Sequence, residues 1–167
     1  MGTERRGSRG VQEEPEKVLV QLEIPKRIVL DLDILVDHLR SREKETTVAK
    51  LQERAQLATT MVNLFELYLG AYKSRDVRRS LTAVKGLLST LPILPLTEGA
   101  AERAGRILAG LETKGKPIDA RDLFVGAIAL EEGFAVLTQN IEHFARIRDL
   151  QVITEKQARS HNKAAGL

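Results

Sequence analysis

Three acidic residues stand where strands and helices could bring their carboxylates to one site. Asp31 ends the apolar run 28–30, Glu66 comes four residues after the apolar segment 57–62, and Asp122 lies at the start of a helical pattern. Short apolar runs of this kind are typical of parallel strands buried on both faces. Ligands bind beyond the carboxyl ends of such strands. We therefore expect the acids to meet at one edge of a sheet.

The residue types indicate an oxygen-ligated divalent cation. Carboxylates held close together repel, which raises their pKa values unless a cation neutralises them. Mg²⁺ and Mn²⁺ suit such a site, and they can activate water and stabilise charge on a phosphodiester. The chain has no cysteine, which excludes disulfides, zinc-thiolate sites and a cysteine nucleophile. Its three scattered histidines do not have metal-cluster spacing, and we expect His38 and His143 to be surface or packing residues.

Each acid also has a purely structural interpretation. Asp31 could form a turn after its strand, and Glu66 has capping-box spacing from Asn63. Asp119 and Asp122 begin a helix, where acids interact favourably with the helix dipole. The combination of positions, rather than any single acid, favours a metal site.

Other polar residues nearby fit helix caps. Asp33 is a natural N-cap for a helix over 34–39, and Asn140 for a short helix over 141–147. Asp37 lies a turn further along the first helix, and we interpret it as structural.

The elements that must position these side chains alternate along the chain, which predicts an α/β fold with a parallel sheet and helices on both faces. The segment 17–24 has some strand character and could be an edge strand or an upstream extension. Predicted strands cover 28–30, 57–62, 93–96, 134–138 and 150–154, and predicted helices cover 34–39, 48–56, 63–74, 76–91, 98–114, 120–131 and 141–147.

Length and composition indicate a single globular domain. The chain has 167 residues, of which 43% are hydrophobic and 29% charged. It contains no apolar run long enough to span a membrane, and its charged N-terminus does not resemble a secretory signal, so we expect a cytoplasmic protein. The net charge of +3 permits a nucleic-acid partner without demonstrating one.

Basic residues flank the predicted site on two sides. They could bind phosphates next to a cleavage site, or they could simply form a solvated face. One group comprises Lys73, Arg75, Arg78 and Arg79, and the other comprises Lys114, Lys116 and Arg121.

Three segments resemble the conserved blocks of PIN-domain ribonucleases, and within them the VapC-type toxins of type II toxin–antitoxin pairs. They are LDLDILVDHLR at 30–40, NLFELYLGAYKS at 63–74, and PIDARDLFVGAIALEEGFAVLTQNIEHFARIRDLQVI at 117–153. The resemblance implies a PIN-like three-layer α/β/α fold with a central parallel sheet of about four to five strands. It divides the chain into an arm at 1–26, a PIN domain at 27–156 and a tail at 157–167.

Carried over by position, the resemblance implies that Asp31, Glu66 and Asp122 bind Mg²⁺ or Mn²⁺. Asn140 stands where many relatives have a fourth acid, and Asp119 is a plausible further ligand. Thr138 matches a threonine at the end of its strand, and Asp33 replaces the usual asparagine; both are expected to support the site.

The same resemblance implies metal-dependent endonucleolytic cleavage of RNA, in which the metal orients a water for attack on the phosphodiester. It also implies a VapB-like antitoxin, whose arginine could pair with the acids, and a homodimer. An alternative is a catalytically weak or inactive PIN-like module that binds RNA or protein, because Asn140 replaces the fourth acid.

Overall fold

The computed structural model describes residues 23–42 and 45–164, and side chains within them up to residue 160. The described chain alternates strands and helices. The strands are β1 (Arg27–Leu30), β2 (Gln56–Thr60), β3 (Ile93–Leu94), β4 (Ala135–Leu137) and β5 (Val152–Ile153). The helices are α1 (Leu32–Arg40), α2 (Thr47–Gln52), α3 (Met61–Tyr72), α4 (Val77–Leu88), α5 (Glu98–Thr113), α6 (Ala120–Glu132), α7 (Ile141–Phe144) and α8 (Glu155–Ala164).

All five strands form one parallel sheet in the order β3-β2-β1-β4-β5. The chain moves outward from β1 through β2 to β3, and then returns to the other side of β1 to form β4 and β5. The junction between β1 and β4 is therefore the point where strand order reverses, which is where open α/β sheets bind ligands. This confirms the predicted fold class and places the ends of β1 and β4 side by side.

Helices cover both faces of the sheet and form two separate cores. Ile28 and Leu30 of β1 point into one core with side chains of α1, α2, α3, α4 and α8. Val29 points to the opposite face, where α5, α6 and α7 pack. The alternation of side chains along one strand thus produces the three layers.

Helix α6 is positioned by two glycines. Gly133 ends the helix with a φ of 71°, a left-handed conformation that costs glycine little. Gly126 packs against Ile147 so closely that a Cβ at residue 126 would clash with that side chain. The close approach at Gly126 lets α6, which carries Asp122, pack against Ile147 in the turn after α7.

The structure contains one helix that was not predicted from the sequence, α8, near the C-terminus. Helix α8 packs on α2, with Ala158 in the core and the Arg159 guanidinium bonded to the Thr47 hydroxyl at 2.9 Å. The predicted domain boundary at residue 156 falls inside this helix. Of the segment 17–24, residues 17–22 lie outside the described residues, and 23–24 are not in a strand. None of the helices described is long and apolar enough to cross a membrane.

Candidate active site

Asp31 occupies the junction between β1 and β4. Its backbone N–H donates to the carbonyl of Leu137 at 3.0 Å, and its carboxylate accepts a 2.8 Å hydrogen bond from the Thr138 hydroxyl. The residue is 6% exposed, and Thr138 is fully buried. Asp31 also stands at the N-cap position of α1, although its side chain does not cap that helix. The carboxylate is therefore held at the strand end and directed toward β4.

Burial raises the pKa of Asp31 from 3.8 to about 6. Desolvation is the largest cause, the hydrogen bond from Thr138 opposes it, and repulsion from Asp33 and Asp122 adds to it. The three carboxylates therefore share one electrostatic environment. We refer to Asp31, Asp33 and Asp122 as the strand-end cluster.

The prediction that Asp33 caps a helix beginning at residue 34 was wrong. Helix α1 begins at Leu32, so Asp33 lies in its first turn. Its carboxylate instead accepts a 2.9 Å hydrogen bond from the backbone N–H of Gln139 and a 3.3 Å bond from Thr138. Burial is the largest cause that raises the pKa of Asp33, and bonds from Gln139 and Ile34 oppose it.

Asp37 bonds to the loop that follows β4. Its carboxylate accepts a 2.6 Å hydrogen bond from the side chain of Gln139. This contact agrees with the structural role predicted for Asp37, and it ties α1 to the residues next to Thr138.

The capping-box interpretation of Glu66 was also wrong. Helix α3 begins at Met61, and the Thr60 hydroxyl caps it by accepting from the Asn63 N–H at 3.2 Å. Asn63 is fully buried, and its side-chain amide donates to the Leu30 carbonyl at 3.1 Å. Asn63 thus ties α3 to the end of β1, and Glu66 is not needed for capping.

Glu66 pairs with Arg121, the residue immediately before Asp122. The Arg121 Nη1 lies 2.7 Å from Glu66 Oε1, and its Nε lies 3.1 Å from Asp119 Oδ1. Asp119 also caps α6 by accepting from the Arg121 backbone N–H at 2.9 Å. Bonding to Arg121 lowers the pKa of Asp119. We refer to Glu66, Arg121 and Asp119 as the rim triad.

Asp122 is held by two residues of the α7 region. One of its oxygens, Oδ2, lies 2.6 Å from His143 Nδ1 and 3.1 Å from Asn140 Nδ2. Neither of these donors contacts Oδ1. Asn140 occupies the predicted N-cap position of α7, but its side chain makes no capping bond to that helix.

His143 is a site residue that the sequence interpretation missed. It was expected to be a surface or packing residue, yet its Nδ1 contacts both Asp122 and Asn140. At 2.6 Å from a carboxylate oxygen, Nδ1 carries a proton and donates it, because two lone pairs at that distance would repel. The signal available in the sequence was the three-residue spacing of Asn140 and His143, which places both at the start of one short helix.

The donor chemistry of the strand-end cluster suits a hard divalent cation, since mutually repelling carboxylates gain most from one. The arrangement is incomplete, however. Within 23–42 and 45–164, no three Asp, Glu or His side chains are grouped so that they could hold a metal. Asp31 and Asp122 interact electrostatically, whereas Glu66 is bonded to Arg121. In the described structure, Glu66 is therefore not grouped with Asp31 and Asp122, and its Oε1 is bonded to Arg121.

The predicted phosphate-binding residues divide into separate surfaces. Arg78 and Arg79 are exposed in the first turn of α4, after Lys73 and Arg75 in the preceding turn. Lys114 and Lys116 line a cavity of about 620 Å³ between the α5–α6 turn and α7, together with Arg146. Arg121 belongs to the rim triad, and its partner Glu66 lines the same groove as Arg79.

Residues 28–150 match the family model described as the PIN domain. This match spans most of the chain and includes every residue of the strand-end cluster and the rim triad. The chain belongs to the PIN-domain family. The resemblance inferred from the three sequence blocks is thereby confirmed.

Relatives of this PIN domain include VapC ribonucleases. It is 31% identical over 116 residues to the "tRNA(fMet)-specific endonuclease VapC" of Salmonella typhimurium, covering 70% of this chain and 83% of that protein. It is also 29% identical over 121 residues to "Ribonuclease VapC2" of Haemophilus influenzae. That alignment covers 72% of this chain and 92% of the relative.

Solved structures show the same fold. VapBC2 from Rickettsia felis, bound to a DNA fragment from its promoter, superposes with a TM-score of 0.71 and 25% identity. The superposition covers 76% of the present chain and 97% of the Rickettsia felis chain. The five-stranded sheet and its helices are therefore the PIN fold.

Proposed function

We propose that the protein is a VapC-type endoribonuclease toxin that works in the cytoplasm and uses Mg²⁺ or Mn²⁺ held by Asp31, Glu66 and Asp122. The observation that carries the proposal is the position of the buried Asp31 carboxylate at the β1–β4 junction, where it accepts a hydrogen bond from Thr138 and interacts electrostatically with Asp33 and Asp122. The VapC ribonucleases among the relatives support RNA as the substrate. When bound, the cation would supply an activated water and charge neutralisation on the phosphodiester.

The chain's own residues hold the carboxylates in place. The Thr138 hydroxyl orients Asp31, and His143 with Asn140 occupies one oxygen of Asp122 and leaves the other for a ligand. In this arrangement Asn140 acts as a hydrogen-bond donor to an acid, whereas the fourth acid of many relatives would add negative charge. Asp119, which caps α6 and bonds Arg121, and Asn140, whose Nδ2 lies 3.1 Å from Asp122, are proposed as additional ligands.

A direct test is RNA cleavage by the purified protein. We expect cleavage of cellular RNA with Mg²⁺ or Mn²⁺ present, and none after EDTA is added. Asp31→Asn should reduce the rate by roughly 10²–10³-fold, the range for losing one electrostatic contribution to a transition state. A folded Asp31→Asn variant that cut as fast as the parent would exclude this assignment. RNA binding without cleavage in the parent would favour the alternative of an inactive binding module.

We further propose that a VapB-like antitoxin covers the site, as the VapBC complexes among the structural neighbours suggest. An apolar groove of about 430 Å³ runs beside Glu66 between α1, α3 and α4. An apolar peptide segment would fit this groove, and a basic residue on it could reach the acids. The groove is lined by Leu32, Val36, Leu39, Leu67, Ala71 and Val84.

Gly70→Gln tests the antitoxin groove. Gly70 lines it, and a Cβ there would meet no atom within 4 Å, so the fold should tolerate the change. We expect the variant to keep its nuclease activity and to lose co-purification with the product of an adjacent small antitoxin gene. Unchanged co-purification would place the partner elsewhere.

The outer face of α3 supports the proposed homodimer. Met61, Phe65, Leu69 and Tyr72 recur at helical spacing and are 39–65% exposed. Leu96, which follows the neighbouring strand β3, is 42% exposed. Together these side chains expose about 500 Å² of largely apolar surface, and a twofold contact would bury about 1,000 Å², the lower limit for a specific interface. A second copy of the chain therefore fits this face.

Phe65→Lys should convert a dimer to a monomer, as measured by light scattering after size exclusion. Ile141→Lys is the matched control, because Ile141 is 39% exposed on α7, away from this face. Equal masses for the two variants would mean that α3 is not the interface.

A further inference from the structure

Arg121 holds a carboxylate that the proposed metal site needs. Its guanidinium bonds Glu66 through Nη1 and Asp119 through Nε, at 2.7 and 3.1 Å. Glu66 is the more enclosed partner, with 13% of its side chain exposed against 58% for Arg121. The pair thus joins a largely buried acid to a cation that is mostly exposed to solvent.

We propose that Arg121 competes with the divalent cation for Glu66, and that once released it binds an RNA phosphate next to the cleavage site. This inference rests on the proposed function. Arg121 then has two positions: on Glu66 when the metal is absent, and on substrate when the metal is bound.

The competition follows from charge. A divalent cation on Glu66 would face the guanidinium at close range, and two positive groups sharing one carboxylate repel each other. In the absence of metal, Arg121 neutralises Glu66 and removes it from the carboxylates of the strand-end cluster. This agrees with the finding that no three acidic or histidine side chains in the described part of the chain are grouped to bind a metal.

Asp119 explains how Arg121 can move without leaving the site. It bonds both the backbone N–H and the Nε of Arg121, so the base of the side chain stays anchored at the N-terminus of α6. Release from Glu66 then swings the Nη groups next to Asp122. A phosphate diester arriving there offers a guanidinium a charged acceptor of suitable geometry.

A different role for Arg121 would change the metal affinity in the opposite direction. If Arg121 instead orients Glu66 toward the metal, as partners of metal ligands commonly do, its removal should weaken metal binding. The two roles therefore predict changes of opposite sign in the same measurement.

The experiment measures Mn²⁺ binding to the full chain by electron paramagnetic resonance, without RNA. We expect Arg121→Gln to lower the Mn²⁺ dissociation constant by about two- to fivefold, the range for a partly exposed ion pair, and Arg121→Lys to have a smaller effect. Arg54→Gln is the matched control, because Arg54 is exposed and precedes β2 at the opposite edge of the sheet. It loses the same charge and should bind Mn²⁺ as the parent does.

The second measurement is the KM for a bulk RNA preparation. We expect the KM for RNA to rise in Arg121→Gln while the Mn²⁺ dissociation constant falls. General damage to the site would instead raise both quantities. Unchanged or weaker Mn²⁺ binding in Arg121→Gln would overturn the competition, and an unchanged KM would overturn the contact with phosphate. If the parent itself failed to bind Mn²⁺, the proposed metal-dependent function would fall as well.

Discussion

The strand-end cluster and the rim triad lie side by side, yet they stabilise their carboxylates by different means. In the strand-end cluster, burial and the repulsion from Asp33 and Asp122 disfavour the charged form of Asp31, and the hydrogen bond from the Thr138 hydroxyl offsets only part of this effect. In the rim triad, one guanidinium pairs with two carboxylates, and its bonds to Asp119 lower the pKa of that residue. The first region lacks positive charge, and the second supplies its own.

This difference indicates which parts of the site are fixed and which can exchange partners. Asp31, Thr138 and Asn63 are attached to strand ends and buried, so their positions follow from the packing of the sheet. Arg121 is largely exposed, and ion pairs at that exposure contribute little to stability. A cation that binds between the regions would therefore find Asp31 in place and would have to displace Arg121.

The largest expected effect is a pH dependence of the free energy of unfolding that comes from Asp31 in the strand-end cluster. The pKa of Asp31 is about 6 in the folded protein against 3.8 as its model value, so the folded state retains a proton that the unfolded state loses. The free energy of unfolding of the parent should therefore fall as pH rises from about 4 to about 6, by up to roughly 3 kcal/mol. Asp31→Asn should lack this loss and be more stable than the parent at pH 7.5 in EDTA.

Chemical denaturation across that pH range measures the effect. Glu66→Gln is the comparison from the rim triad, and we expect no stabilisation because it removes one of the two carboxylates that pair with Arg121. A parent and an Asp31→Asn variant that differed by the same amount at pH 4 and pH 7 would contradict the electrostatic account of the strand-end cluster.

A smaller effect concerns the residues behind Asp122. Removing the Nδ1 donor in His143→Ala should lower kcat/KM for RNA by about tenfold, as for other partners of metal ligands, and should weaken Mn²⁺ binding. His143→Gln should recover part of both, because its amide can donate to Asp122. His38→Ala is the control, since His38 bonds Thr46 and not an acid of the site. Loss of activity in both alanine variants would argue against a specific role for His143.

The smallest expected effect tests whether the rim triad also stabilises the fold. Asp119→Ala removes the cap of α6 and should cost about 1 kcal/mol, the usual value for a lost N-cap. Asp76→Ala removes the corresponding cap of α4, where Asp76 accepts from the Arg79 N–H at 3.0 Å. Thermal unfolding should give similar losses. A much larger loss for Asp119→Ala would mean that the triad is a structural element and not an exchangeable contact.

Element types were predictable from the sequence because they depend on local patterns. Alternating apolar runs and amphipathic segments predicted all five strands and the helices α1 to α7 close to their observed positions. The starts of α1 and α3 were misplaced by two residues each, because Asp33 and Asn63 are good capping residues whose side chains are used elsewhere. Helix α8 was missed, since the tail has few apolar residues and docks mainly through Ala158 and Arg159.

The sequence by itself determined that acids follow strands, that the ligands available for a metal are oxygens, and that the chain resembles PIN-domain nucleases. Only the tertiary structure decided that β4 lies next to β1, which brings Thr138 onto Asp31 and Asn140 with His143 onto Asp122. It also decided that Arg121, which the sequence predicts to bind RNA, bonds Glu66 in the described structure. The physical reason is that strand order and long-range ion pairs arise from packing between segments distant in sequence, and local residue patterns do not encode them.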